Sequence, residues 1–388
     1  MTVFITGATG FLGSYVVDHL LRKTDVDLAL LTRARDRRDG VEKLWKALQL
    51  HMDAETFYGF LDRVRFLSGD VTGDRLGMSA EDYDFVVKNA ESVLHIAASL
   101  NRKSAKACLN NNLRGTLSVI KLARAIQEDH GLRRFSFVST AAVAGTRQSE
   151  DLEEDQVIDW SLSDYDPYGM TKKFCEHMIH ELLPDVQKTI FRPTIVVGDS
   201  RFAETTQFDM IRAISFLSEL PIVPMKGESR VDVVNADWVG PAIAIIHMKA
   251  EPKHDTYHLS SGLASPTAQE MGEVISGFVG KRPPRFVPEL EASFASIMNT
   301  LGGLKAKNVV TQVGALFKVF MPYITYDTVF LNDRAVAEVG SAPARWSEYG
   351  GRLCEYVKRV GFEYPYAPLP PPPPKRGAKA ERRREGAA

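Results

Sequence analysis

Cysteine, net charge and long apolar runs are all scarce in this sequence, and each scarcity argues against a class of protein. The three cysteines, Cys108, Cys175 and Cys354, are far apart and lack metal-ligand spacing, which argues against a disulfide framework and favours a reducing compartment. A formal net charge of −1 argues against a nucleic-acid-binding body. We therefore expect no metal and no nucleic acid, with the cysteines packed as small buried side chains.

Membrane spans and targeting segments are also missing from the pattern. No run approaches the ~18 apolar residues that cross a bilayer, and the chain opens with strand-like residues 2–6 in place of a basic region and a cleavage site. We expect a cytoplasmic protein, peripheral to a membrane at most. Because 44% of its 388 residues are hydrophobic, the chain can bury one large core or two smaller ones, which suits an enzyme-sized α/β unit.

A glycine-rich turn follows the first predicted strand and precedes a helical pattern. Gly7 permits the tight turn, Gly10 lets backbone N–H groups approach a pyrophosphate, and Gly13 lets the helix pack close to the strand. Strand, turn and helix together predict a dinucleotide site, the alternative being a purely structural turn. The cofactor contacts that we predict here are Thr6, Gly7, Thr9, Gly10, Phe11, Leu12 and Gly13.

The second predicted strand, residues 26–32, ends in a basic residue. A carboxylate at this place would bind the ribose 2′-hydroxyl of NAD. Arg33 stands there instead, with Arg35 close behind, and a guanidinium suits the 2′-phosphate of NADPH. We therefore predict NADP(H) as the cofactor, the alternative being a solvated basic loop that continues to Arg37 and Arg38.

A tyrosine and a lysine four residues apart open a later segment with helical periodicity. Tyr168 and Lys172 would lie on one face of that helix, one turn apart, and Pro167 suits its first turn. Because a nearby cation stabilises phenolate, we expect Lys172 to lower the pKa of Tyr168 so that it can act as an acid or base. The alternative is a packed ring beside a solvated amine.

Upstream of this pair, the fifth predicted strand, residues 134–138, leads into Ser139 and Thr140. Hydroxyls at the carboxyl end of a central strand face the crevice where ligands bind in open α/β sheets. The alternative is simple capping of the strand end, which would not explain the conjunction with the downstream tyrosine and lysine.

These motifs occur in an order that resembles the extended short-chain dehydrogenase/reductase family over about residues 1–260. The resemblance implies an α/β Rossmann fold: a doubly wound parallel sheet with a smaller mixed C-terminal substrate-binding lobe. It also implies a catalytic set of Thr140, with Ser139 as the alternative, Tyr168 and Lys172, in which the lysine also holds the nicotinamide ribose.

The same resemblance extends the predicted cofactor site to other strand ends. It places Asp70 near the adenine amino group, and it implies that Asn112, in an Asn-x-x-Gly-Thr element, stiffens the active site. The small residues at the end of the fourth strand would let the cofactor pass closely, and the segment after Arg192 would lie beside the nicotinamide. The further contacts predicted are Val71, Ala97, Ala98, Pro193, Thr194 and Ile195.

One later segment narrows the resemblance to a branch. Residues 229–239 resemble the Asp-x-Val-Pro-Val-Asp-Tyr-Val element of the male-sterility branch, which includes fatty acyl-CoA reductases and thioester reductase domains. This sequence departs from the pattern at Asn235, which replaces the proline, and at Trp238, which replaces the tyrosine. Arg230 stands where sugar-nucleotide epimerases place a phosphate-binding arginine, which keeps that alternative open.

We predict three parts in the chain: a nucleotide-binding domain over residues 1–198, a substrate lobe over 199–366 that is interleaved with the last Rossmann elements, and a disordered Pro-rich and basic tail over 367–388. The acidic residues 149–166 are expected to be solvated, or else to form a flap. Residues 290–326 predict two helices that cover the lobe, or a hydrophobic lid for an acyl chain.

The expected function is NADPH-dependent reduction of an acyl thioester, bound to CoA or to an acyl carrier, or of a fatty aldehyde. The alternatives are a dehydrogenase or epimerase of a sugar nucleotide or secondary alcohol, and a protein that binds NADP without turnover. The sequence leaves the oligomeric state open, a homodimer included.

Overall fold

The computed structural model describes residues 1–102, 104–303, 317 and 321–373, except for the side chains of residues 299 and 301–303. Its centre is a seven-stranded parallel sheet with the strand order β11-β7-β5-β4-β1-β2-β3. The sheet strands are Thr2–Thr6 (β1), Asp27–Thr32 (β2), Val64–Ser68 (β3), Ala90–His95 (β4), Arg134–Val138 (β5), Lys188–Pro193 (β7) and Thr256–Leu259 (β11). This is the predicted doubly wound Rossmann sheet.

The remaining strands form three two-stranded parallel pairs outside the main sheet. They are Asp151–Leu152 (β6) with Val329–Phe330 (β13), Ile195–Val196 (β8) with Val233–Val234 (β10), and Ile222–Val223 (β9) with Arg285–Phe286 (β12).

Helices connect the strands and build the second lobe. In the described part of the chain they are Phe11–Lys23 (α1), Arg37–Leu48 (α2), Ala54–Phe60 (α3), Ala80–Asn89 (α4), Ala105–Cys108 (α5), Gly115–Asp129 (α6), Pro167–Leu182 (α7), Asp209–Leu217 (α8), Ala236–Met248 (α9), Ala268–Phe278 (α10), Glu291–Gly303 (α11), Asp333–Val339 (α12) and Trp346–Arg359 (α13).

The central strands are apolar along their whole length because helices cover both faces of the sheet. Along β1, Val3 and Ile5 belong to a core beneath α1, α2 and α9, whereas Phe4 belongs to a second core beneath α4, α6 and α7. All three side chains are fully buried. Strand order reverses on either side of β1, which opens a crevice at the carboxyl ends of β1 and β4, where such sheets bind ligands.

A second lobe follows the main sheet but does not form one continuous stretch. Its core joins α8, α10 and α13 with Phe317. Between these pieces the chain returns to the first domain, because α9 packs on α1 and β11 extends the sheet beside β7. The first domain therefore includes elements of the chain well beyond residue 198.

The acidic stretch is attached to the protein at two points, contrary to the expectation of a solvated loop. Asp151–Leu152 pairs with Val329–Phe330. Glu154 is buried and accepts hydrogen bonds from the backbone N–H groups of His258, Arg334 and Ala335. The partners lie more than a hundred residues further along the chain, so acidity alone could not indicate this role.

The helical region that carries Asn112 is divided into two α-helices. A π-helical segment, Leu109–Arg114, separates α5 from α6. The predicted tail also begins later than expected, because Ala367 bonds with Trp45 and Gln49 on α2, and the Tyr58 hydroxyl donates to the Pro370 carbonyl. The basic part of the tail, residues 375–384, lies outside the described residues.

Within the described residues, no helix combines the length and apolarity that a membrane span requires. No group of three or more His, Cys, Asp or Glu side chains is arranged there to hold a metal ion. The three cysteines are buried and free.

Candidate active site

A cleft of about 710 Å³ lies at the carboxyl edge of the sheet, between the two lobes. Its size falls within the range of pockets that bind small molecules and cofactors. It brings together sequence elements from residue 6 to residue 330. Most of the predicted site residues line it: Thr6, Gly7, Thr9, Gly10, Phe11, Leu12, Arg33, Asp70, Val71, Ala97, Ala98, Ser139, Thr140, Tyr168, Lys172, Pro193, Thr194 and Ile195.

The glycine turn forms one wall of the cleft. Gly7 has φ +78°, and a Cβ atom there would lie 2.5 Å from the Ala97 nitrogen, so glycine is required both for the conformation and for the close approach. Gly10 is the N-cap of α1 and provides no side-chain cap. The first N–H groups of α1 are therefore available to an anion in the cleft.

Two predicted cofactor contacts, Gly13 and Asn112, do not line the cleft and instead support the segments that do. A Cβ atom on Gly13 would lie 2.1 Å from the Gly7 carbonyl oxygen, so this glycine permits α1 to pack on the turn. The Asn112 side chain accepts from the Ser99 N–H at 2.7 Å and donates to the Thr171 hydroxyl at 3.1 Å. It thereby links the loop after β4 to α7.

Beyond the end of β2, the cleft is lined by two residues of opposite charge, Asp70 and Arg33. Burial by itself would raise the pKa of Asp70, but hydrogen bonds from the Thr72 N–H and hydroxyl and the charge of Arg33 hold it below its usual value. Arg33 is exposed, and its backbone carbonyl accepts a hydrogen bond from Lys43. A cation thus lies at the position where a ribose-binding carboxylate would otherwise stand.

Helix α7 places the tyrosine and the lysine in the cleft. It begins at Pro167, after Asp166, whose carboxylate accepts from the Gly169 N–H at 2.9 Å as an N-cap. Tyr168 and Lys172, one turn apart on this helix, are 7% and 1% exposed. The expectation that they share a face towards the crevice agrees with their positions.

The electrostatic relation between these two residues differs from the expectation. Burial raises the pKa of Tyr168 to about 12, and the principal opposing cation is Arg102, while a hydrogen bond with Thr140 also lowers the pKa. The Lys172 ammonium donates to the Val138 carbonyl at 2.6 Å, and burial lowers its own pKa to about 8. The proposed lowering of the tyrosine pKa by this lysine is therefore not seen.

Thr140 is better placed than Ser139 for the hydroxyl role. Its hydrogen bond with Tyr168 contributes to the pKa of that tyrosine, and its oxygen also accepts from the Ala142 N–H at 3.3 Å. The Ser139 hydroxyl has no hydrogen-bond partner among the described residues.

The segment beside the predicted nicotinamide position is held by β11 of the main sheet and by Asp232. The Thr194 N–H donates to the Leu259 carbonyl and the Ile195 N–H to the Asp232 carbonyl. The Asp232 carboxylate is buried and accepts from the Thr194 hydroxyl at 2.9 Å. The backbone N–H groups of Thr194 and Ile195 are thus engaged within the protein and do not point to the cofactor as free donors.

Arg102 and Tyr323 were not predicted from the sequence, although both lie beside Tyr168 in the cleft. Arg102 lies with its guanidinium carbon 5.0 Å from the Tyr168 ring centroid and 5.4 Å from that of Tyr323. Tyr165 and Tyr326 also line the cleft. Arg102 and Tyr323 contact each other although they are far apart in the sequence, so no local pattern indicates that they meet.

Arg230, the residue that kept a phosphate-binding alternative open, is engaged elsewhere. Its side chain donates to Asp327 at 2.9 Å and to Asp151 at 2.7 Å. Two carboxylates balance its charge, and it is not among the residues that line the cleft. The departures from the branch pattern have structural partners as well, because Asn235 accepts from the Ala344 N–H and Trp238 donates to the Ser341 carbonyl.

A Rossmann sheet with a glycine turn, and a cleft lined by Thr140, Tyr168 and Lys172, defines an extended short-chain dehydrogenase/reductase. Residues 5–243 match the model of the male sterility protein family, and the chain belongs to this family.

Relatives of this chain include a nonribosomal peptide synthetase and a fatty acyl-CoA reductase. The chain is 28% identical over 279 residues to the nonribosomal peptide synthetase asaC from Aspergillus flavus, covering 66% of this chain and 26% of that protein. It is 28% identical over 235 residues to the fatty acyl-CoA reductase wat from Drosophila melanogaster, covering 53% and 45%. The match thus spans less than half the length of either relative.

The fold is also that of a solved reductase domain. The terminal R domain from the myxalamid PKS-NRPS biosynthetic pathway superposes with a TM-score of 0.77 at 21% identity, covering 93% of this chain and 91% of that one.

Proposed function

We propose that this protein is an NADPH-dependent reductase of a fatty acyl thioester carried by CoA or by an acyl carrier protein. The observation that carries the proposal is the placement of Thr140, Tyr168 and Lys172 in the same cleft as an uncapped helix N-terminus and Arg33. The same groups would serve the reduction of a fatty aldehyde, which is the alternative substrate for this site.

The residues present fit a dinucleotide. The N–H groups at the start of α1 suit the pyrophosphate, and a side chain at position 7 would fill the space against Ala97. Asp70 would receive the adenine end, and Arg33 would pair with a 2′-phosphate. When bound, NADPH would supply the hydride for the acyl carbon.

The chain's own groups would handle the oxygen and the proton. The Tyr168 hydroxyl, hydrogen-bonded with Thr140, would donate to the carbonyl oxygen and protonate the developing oxyanion. An ammonium has three N–H donors, and Lys172 uses one on the Val138 carbonyl. We assign the ribose hydroxyls to its other donors.

The second lobe supplies apolar and aromatic surface to the cleft. Met210 and Phe330 line it together with Leu100 from the first domain, which suits an acyl chain, since each buried methylene contributes ~0.8 kcal/mol. Phe317, from the region predicted as a lid, is 2% exposed and packs against Phe294 in the lobe core. A polar substitution there would disturb the lobe, so it is a poor probe of substrate binding.

The described members of the predicted lid that line the cleft are Pro322, Tyr323 and Tyr326. Several residues assigned to that lid lie outside the described residues: Leu304, Lys305, Lys307, Val309, Val310, Val313, Leu316, Lys318 and Phe320. We assign Pro322, Tyr323 and Tyr326 to the substrate-facing surface of this region.

The competing functions lose their main support. The epimerase interpretation depended on Arg230, which is held by Asp151 and Asp327. The interpretation as a non-catalytic binder expects loss of the tyrosine or the lysine, and both line the cleft.

The test is a substrate panel with purified protein and NADPH, followed by loss of nicotinamide absorbance. We expect turnover of acyl-CoAs or carrier-bound acyl thioesters, with affinity that rises with chain length. Turnover of a nucleotide sugar without any reaction of thioesters or aldehydes would contradict the proposal.

A further inference from the structure

Arg102 lies in a pocket of aromatic rings and one carboxylate directly above Tyr168. Its side chain is 17% exposed, and its Nε lies 3.3 Å from the Asp166 carboxylate. Its guanidinium faces the rings of Tyr168 and Tyr323 at 5.0 and 5.4 Å, within the range of cation–π attraction.

Asp166 connects this cation to both lobes. One carboxylate oxygen caps α7 through the Gly169 N–H, and the other accepts from the Tyr323 hydroxyl at 2.9 Å. The Tyr323 ring stacks on Tyr165 with 4.8 Å between centroids. The second lobe therefore holds Arg102 from one side while α7 holds it from the other.

We infer that Arg102, seated by Asp166 and Tyr323, is the positioning cation of Tyr168, and that the second lobe completes the active site by supplying Tyr323. This inference rests on the proposed role of Tyr168 as the acid. A cation close to a phenol favours phenolate, and Arg102 retains its charge at every pH at which the enzyme folds.

The charges around Tyr168 come from several elements, and their signs agree with this role. After burial, Arg102 makes the largest contribution to its pKa and lowers it, whereas Asp166 on the N-cap of α7 and Cys108 on α5 raise it. The Thr140 hydrogen bond lowers it. Lys172, the other cation nearby, lies over the Phe137 ring at 4.2 Å and donates to Val138.

The experiment measures the ionisation of residue 168 itself, without turnover. Replacing Tyr168 by trifluorotyrosine lowers the pKa of the phenol, which moves its titration to a pH at which the fold is stable, and all fluorine NMR signals then come from residue 168. We expect Arg102→Gln to raise the titration midpoint by about one pH unit or more. Arg102→Lys, which keeps the charge, should restore most of that difference.

Arg65→Gln is the matched control. Arg65 also pairs with a carboxylate, Asp82 at 3.0 Å, and lies over an aromatic ring, Phe85 at 3.8 Å, but it does not line the cleft. Its loss should leave the midpoint unchanged. An unchanged midpoint in Arg102→Gln would overturn the inference.

A second variant keeps the test decisive if Arg102→Gln does not fold. Asp166→Asn preserves the cap of α7, since asparagine caps helices as well as aspartate does, but it removes an anion. Because Asp166 seats Arg102, its replacement should release the cation and raise the midpoint, although loss of the anion alone would lower it. A midpoint that falls or equals that of the parent would again overturn the inference. Failure of the proposed reductase function would instead appear as no thioester turnover with the midpoint shifts intact.

Discussion

Tyr168 and Arg33 both line the cleft, and we assign them separate roles. The first would serve the reacting carbonyl, and the second would select the cofactor. Because these roles are separate, substitution of Tyr168 should change the turnover rate, and substitution of Arg33 should change the preference between the two cofactors.

We expect Tyr168→Phe to reduce turnover by at least ~100-fold, because it removes the acid and an oxyanion donor. The ring packing remains, so NADPH affinity should change little. Single-turnover rates and cofactor fluorescence titrations measure the two separately. A variant with nearly normal turnover would exclude Tyr168 as the acid.

We expect Arg33→Asp to shift preference from NADPH towards NADH. The change removes the cation that would face the 2′-phosphate and introduces an acceptor for a 2′-hydroxyl. Dissociation constants for both cofactors in parent and variant measure it, and Arg38→Asp, at an exposed position in the first turn of α2, is the control. An unchanged ratio would contradict the assignment of NADPH.

Residues close in sequence were predictable, and residues that meet only in the fold were not. The glycine turn and the Tyr168–Lys172 pair are local patterns with a fixed geometry. Arg102 and Tyr323 share no local pattern, and their contact exists because the second lobe returns to the cleft after some 220 residues. The ionisation of Tyr168 was mispredicted for the same reason, since burial and Arg102 dominate it.

At the scale of elements, strands were well predicted and connections were not. Strands β1 and β5 agree with the sequence analysis at both ends, because buried parallel strands are continuous apolar runs between polar turns. The π-helical segment before α6 has no comparable signal. The attachment of the acidic stretch to α12 depends on distant backbone N–H groups.

Glu154 provides a pH-dependent test of that attachment. Burial raises its pKa from 4.5 to about 7, although three backbone N–H groups oppose the change. Between these values the unfolded chain releases the proton and the folded chain keeps it, so stability falls as pH rises through this window. Above about pH 7 the loss is complete.

We expect Glu154→Gln to abolish this part of the pH dependence. Relative to the variant, the parent should lose about 1–2 kcal/mol of unfolding free energy between pH values below and above the window. Denaturant unfolding at both pH values measures the difference. The exposed neighbour Glu153→Gln is the control, and an equal effect in both variants would refute the role of Glu154.

At the scale of the whole molecule, the last described residues hold the first domain. The Trp45 indole donates to the Ala367 carbonyl at 3.2 Å, the Tyr58 hydroxyl to Pro370 at 2.7 Å, and Leu369 packs on the core beneath α2. Composition alone placed these residues in a tail, because a proline-rich segment has few apolar side chains with which to indicate docking.

We expect a chain that ends at residue 363 to be less stable than one that ends at residue 373. The shorter chain loses four hydrogen bonds with Trp45, Gln49 and Tyr58 and the packing of Leu369 and Tyr364, which together contribute at least about 2 kcal/mol. Thermal unfolding of the two chains, compared with each other, isolates residues 364–373. Equal midpoints would show that this docking contributes nothing.

The placement of α9 and β11 governs how the protein can be made. A nascent chain that has emerged as far as residue 198 lacks the strand that covers the edge of β7 and the helix that covers α1, where Gly240 approaches Tyr15 so closely that a Cβ atom would lie 2.3 Å away. Its open edge presents unpaired backbone groups. Synthesis must therefore reach the end of β11 at Leu259 before the nucleotide-binding domain can close, and until then the edge of β7 is open to pairing with other chains.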